Sequence, residues 1–112
     1  MFLWESLTVT VQDILDAIEE IFSFMDNMDY ELFRHDVKTI RAVELNFIII
    51  GEASNAIPDE IQATHTEIPW SYMRAMRNRL VHVYFEVDPK LVWDTVKNDL
   101  PKLISSLKSL LN

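Results

Sequence analysis

Residues 36–57 read DVKTIRAVELNFIIIGEASNAI, and their pattern decides the fold class. Ile40, Val43, Phe47, Ile50 and Ile57 recur at steps of three, four and seven. That is one stripe of an α-helix, not the alternation of a strand. Ile48 and Ile49 widen the stripe, which predicts a helix buried on more than one side. Gly51 is the only glycine in the 112 residues. Inside a helix it costs roughly 1 kcal/mol against alanine, so its position predicts the close approach of another helix. Pro58 stops the segment.

The same periodicity extends in both directions. Val11, Ile14, Leu15, Ile18, Ile21, Phe22 and Met25 mark one face of a helix over 6–26, ended by Asp26, Asn27 and Asp29. A short helical turn is expected over Tyr30–Arg34 and a helical connector over Pro58–His65. Pro69 fits the first turn of a helix over 69–86. Asp88-Pro89 reads as N-cap and first turn of a last helix over 89–110, with Leu91, Val96, Leu100, Leu103, Leu107 and Leu110 as its core and a kink at Pro101. The expected fold is all-α: an antiparallel four-helix bundle with a short extra helix, a single domain over 1–112. One glycine, four prolines and 49% hydrophobic residues agree with long, rarely broken helices around a real core.

Composition narrows the function classes. With no cysteine, disulfides and thiolate metal sites are excluded. MFLWESLTV lacks the basic start of a signal peptide. The longest apolar run, FIII at 47–50, is far short of the ~20 residues that span a bilayer. A cytoplasmic protein without membrane contact is therefore expected. The net charge of −8 argues against a general nucleic-acid coat. The charge is uneven, however. Residues 1–33 hold eight acids and no Lys or Arg, whereas residues 68–85 hold Arg74, Arg77 and Arg79 and no acid.

That locally basic stretch contains MRNRLVHVYF, residues 76–85. At about 100° per residue, Met73, Met76, Leu80, Val83 and Val87 form its core face. Arg77 and Tyr84 share the edge of that face. Asn78 and His82 lie one turn apart on the far side. Between the two pairs sit Val81 and Phe85 with Arg74, a second apolar patch that predicts a partner. Arg77 and His82 are about 140° apart on a regular helix, too far to converge readily on one small ligand from one helix. A second copy related by a two-fold axis brings its own Arg and His to the same cleft. The expectation is a composite site at a homodimer interface built on Val81, Phe85 and Arg74.

The chemistry open to such a site is RNA cleavage. A neutral imidazole at His82 can take the proton of a ribose 2′-OH. Arg77 can neutralise charge growing on the phosphate, and Asn78 can orient the phosphate or the imidazole. Neither metal nor cofactor is required. Taken singly, each residue has a plainer reading: a surface arginine, a packing or capping histidine, a solvated asparagine, a core-edge tyrosine. His35 has Glu31 one turn away and His65 has no neighbour at ligand spacing, which argues against a metal site. The three tryptophans read as core or interface residues.

In combination the residues are more specific. Arg77-x4-His82-x-Tyr84 within RNRLVHVYF resembles the signature of the HepT-like toxins of the HEPN superfamily. RAVELNFIIIGEASNAIP (41–58), IPWSYMRAMRNRLVHVYFEVDPKLVWDTVKNDLPKL (68–103) and VQDILDAIEEI (11–21) are similar to the helices of that family. The resemblance implies a HEPN-like bundle that dimerises around the Arg-x4-His helices and a metal-independent endoribonuclease toxin with Arg77, Asn78 and His82 in its site. It also implies an antitoxin partner, the minimal nucleotidyltransferase MntA, which transfers AMP onto the motif tyrosine, here Tyr84, and tRNA as the RNA target. Ile48 stands where relatives carry a glutamate, and residues 1–9 are more apolar than the family's usual start. The rival from another class is a non-catalytic nucleotide- or substrate-binding subunit of a nucleotidyltransferase; a third reading is a structural dimer.

Overall fold

The computed structural model describes the backbone of residues 4–82 and 88–111, and the side chains of 6–78 and 88–111. All regular structure among them is helical. The elements are α1 (Trp4–Phe24), α2 (Tyr30–His35), α3 (Val37–Asn55), α4 (Asp59–Thr64), α5 (Trp70–His82), α6 (Pro89–Asp94), a π-helical turn (Thr95–Asp99) and α7 (Leu100–Leu110).

Local chemistry sets these boundaries. Asp29 caps α2 by accepting the Leu32 amide at 2.9 Å, and Asp36 caps α3 by accepting the Thr39 amide at 3.0 Å. The Thr39 amide, helped by its hydroxyl, holds the Asp36 carboxyl below its usual pKa. Asp88 caps α6 through the Lys90 amide at 2.9 Å, with Pro89 in the first turn as expected. After α1 the chain turns through Asn27 at φ 62°, a left-handed conformation that asparagine tolerates. Pro69 lies just ahead of α5, its carbonyl accepting the Met73 amide at 3.0 Å.

The last helix departs from a simple kink. A π-helical turn precedes Pro101, with the Leu100 amide bonded to the Thr95 carbonyl five residues back. A proline ring lacks an N–H and clashes with the carbonyl four residues earlier in a regular α-helix. The wider turn relieves both problems. It also moves the buried stripe, because Val92 is fully buried where the spacing predicted Leu91, which is only partly buried. From Val96 through Leu100, Leu103, Leu107 and Leu110 the expected residues are buried.

α3 is the central element. It packs against α1 on one side and α5 on the other, while α7 leans on α1. Val11, Ile14, Ile18 and Ile21 of α1 meet Val43, Phe47 and Ile50 of α3 in one core with Met73 and Met76 of α5. Burying each such side chain stabilises the fold by about 1.5–3 kcal/mol. The wide apolar face predicted for α3 is only partly covered. Ile48 is half-buried, whereas Ile49 and Leu45 are 41% and 58% exposed.

Candidate active site

The site grows from the α3–α5 seam. Gly51 is buried there against Arg77. A Cβ at Gly51 would overlap Arg77 Cβ and stand 2.8 Å from its Cγ and 3.1 Å from the Met73 carbonyl oxygen. The lone glycine therefore lets α5 press its Met73–Arg77 turn onto the α3 backbone, the close approach its position predicted.

That approach leaves the root of Arg77 fixed and its head at the surface. The side chain is 26% exposed. Its Nε donates to Glu52 Oε1, and Nη2 forms an ion pair with the same oxygen. Nη1 donates to Asn78 Oδ1 at 2.7 Å. Arg77 and Asn78, two of the predicted site residues, are thus brought together on α5 beside a carboxylate from α3. Arg74 is held separately. Its Nη1 donates to Gln62 Oε1 at 2.8 Å, and Gln62 donates in turn to the carbonyls of Ile57 and Ser54 at 2.9 and 3.2 Å. It is half-buried between α5 and α4.

His82 and Val81 lie within the backbone of α5, with side chains outside the described set. Tyr84 and Phe85 lie outside the described residues altogether. Among the described tyrosines, Tyr72 has its hydroxyl 2.9 Å from Thr95 Oγ1 and donates to Asp99 Oδ2 at 3.3 Å. Burial first, and Asp99 second, push that phenol above its usual pKa.

Glu52 is the residue that sequence reasoning missed. It follows Gly51 on α3 and is half-exposed; its importance comes from an arginine 25 positions away. The available signal was its adjacency to the close-contact glycine. Among the described residues no cluster of three His, Asp or Glu side chains could hold a metal ion, and no helix is long and apolar enough to cross a membrane.

Comparison with known proteins places the chain among relatives. Residues 14–110 match the sequence profile of the family described as Ribonuclease HepT-like. The chain is 44% identical over 100 residues to "Probable ribonuclease HepT" of Thermococcus cleftensis, covering 89% of this chain and 91% of that protein. It is 37% identical over 91 residues to "Putative RNase MJ1216" of Methanocaldococcus jannaschii, covering 81% and 75%. It is 31% identical over 101 residues to "Putative RNase TTE0752" of Caldanaerobacter subterraneus, covering 90% of each. No solved structure matches the chain significantly.

Proposed function

The chain belongs to the HepT-like ribonuclease family, and on that premise we propose that it is the toxin of a toxin–antitoxin pair, cleaving RNA, tRNA foremost, at a composite homodimer site. The observation that carries this reading is the Arg77 guanidinium. It is fixed at its root by the Gly51 contact, oriented by Glu52 and Asn78, and partly open to solvent. A planar donor fork held this way suits a phosphodiester.

In the proposed step His82 removes the 2′-OH proton. The 2′-oxygen attacks the adjacent phosphorus, and the bond to the 5′-oxygen of the next nucleotide breaks. That oxygen leaves with the proton that His82 accepted, giving a 2′,3′-cyclic phosphate and a 5′-OH and returning the imidazole to its neutral form. Arg77 stabilises the charge that builds on the phosphoryl oxygens, and Asn78 keeps the guanidinium and phosphate in register. DNA lacks the nucleophile.

The dimer reading draws on the wheel of α5 and on α3. Leu45 and Ile49 are exposed on the face of α3 that carries Glu52, so an apolar strip borders the site. A second copy would cover it, with Val81, Phe85 and Arg74 meeting across the axis. Neutralisation is assigned to an MntA-like nucleotidyltransferase that attaches AMP to Tyr84. Tyr72 is the poorer acceptor, since its hydroxyl is engaged and its phenol is harder to ionise. By helical spacing in the sequence Tyr84 shares an edge with Arg77, and AMP there would set negative phosphate against the group that binds RNA.

The test is incubation of the unmodified protein with total tRNA in EDTA, beside His82→Ala. The expected result is cleavage lost in the variant, with cyclic phosphate ends. No cleavage by a folded, AMP-free dimer would overturn it in favour of a nucleotide-binding subunit.

A further inference from the structure

Resting on the ribonuclease reading above, we infer that Glu52 is a positioning residue that sets the orientation of Arg77 and tempers its attraction for RNA. Glu52 Oε1 takes the Nε edge of the guanidinium, and Asn78 Oδ1 takes a hydrogen of Nη1. Nη2 also pairs with Glu52, and among the described residues no further side chain engages the remaining hydrogen on each Nη, which is left for a phosphate. With the Cβ end of Arg77 wedged on Gly51, both ends of the side chain are held, and little rotamer freedom remains to be lost when RNA arrives.

Stability does not explain this pair. Glu52 is 51% exposed, and ion pairs at such positions contribute little to folding. Its charge has a second effect. An anion on the arginine weakens ground-state attraction for every RNA phosphate, while the preset fork still meets the extra negative charge that develops during cleavage. In an acidic chain whose α5 carries several arginines, this would reduce capture of non-productive RNA.

The test compares steady-state cleavage of tRNA by the unsubstituted protein, Glu52→Ala and Glu52→Gln, each checked for helicity and dimer mass. Glu52→Ala frees the guanidinium, so kcat should fall by about 10- to 100-fold, the scale of a misplaced catalytic group, while KM does not rise. Glu52→Gln keeps an acceptor for Nε and removes the charge. It should recover most of the lost kcat, with a KM below that of the unsubstituted protein and a steeper dependence on salt. A kcat for Glu52→Ala equal to that of the unsubstituted protein overturns the inference and leaves the ribonuclease reading standing. So does a Glu52→Gln variant as slow as Glu52→Ala. An unsubstituted protein that cleaves no RNA overturns the ribonuclease reading and this inference with it.

Discussion

Gly51→Ala is the substitution that most sharply probes how α3 and α5 fit. The added methyl would overlap Arg77 Cβ and stand 2.8 Å from Cγ and 3.1 Å from the Met73 carbonyl. Ordinary carbon contacts lie near 3.5–4.0 Å, so α5 must retreat by roughly 1 Å or more. None of these atoms is the loose end of a side chain, and rotamer changes cannot absorb the clash. Overpacking of this kind costs about 1–3 kcal/mol, and the rigid neighbours put it near the upper end. Alanine returns roughly 1 kcal/mol of helix propensity. The net loss is then about 2 kcal/mol, a fall in Tm of roughly 6–12 °C for a domain of this size. Thermal unfolding followed by far-UV circular dichroism reads this directly. Cleavage should fall as well, because the retreat carries Arg77 away from its place beside Glu52. A Tm equal to or above that of the unsubstituted protein would refute the close-contact reasoning, since propensity alone would then govern the position.

Other outcomes follow from the proposed site. Mixing Arg77→Ala with His82→Ala, each inactive alone, should restore about a quarter of the activity if each site draws Arg77 and His82 from different protomers and the dimers exchange freely; no activity in the exchanged mixture would place both residues of a site on one chain. Tyr84→Phe should remain toxic in cells that also express the nucleotidyltransferase, as read by growth on plates. Full neutralisation of that variant would assign protection to binding and not to AMP transfer.

Much of the fold is legible in the residues themselves. The stripe through Val11, Ile14, Ile18, Ile21 and Met25 is buried as its spacing predicts, because a helix laid against a core must repeat every three to four residues. Asp88 and Pro89 start α6 for reasons contained in two side chains. Ile57 is buried as expected although α3 ends at Asn55. What was not legible depended on contacts distant in sequence. Pro101 signals a disruption, but whether the chain kinks or widens into a π-helical turn depends on which residues must reach the core, here Val92 and Val96. Gly51 signals close approach without naming Arg77 as the neighbour. Glu52 is marked only by its place beside that glycine. The pairing of Arg77 with Asn78 follows from adjacency on α5, whereas the carboxylate that completes the cluster comes from another helix.

Single-turnover cleavage of tRNA by Arg77→Ala, with helicity and dimer mass matched to the unsubstituted protein, addresses whether this cluster is the ribonuclease centre. If Arg77 stabilises the charge that develops on the phosphate, the rate should fall by about 10²–10³-fold, the usual effect of removing one such donor. A folded Arg77→Ala dimer that cleaves at the unsubstituted rate would contradict the assignment and place the chemistry elsewhere on the molecule.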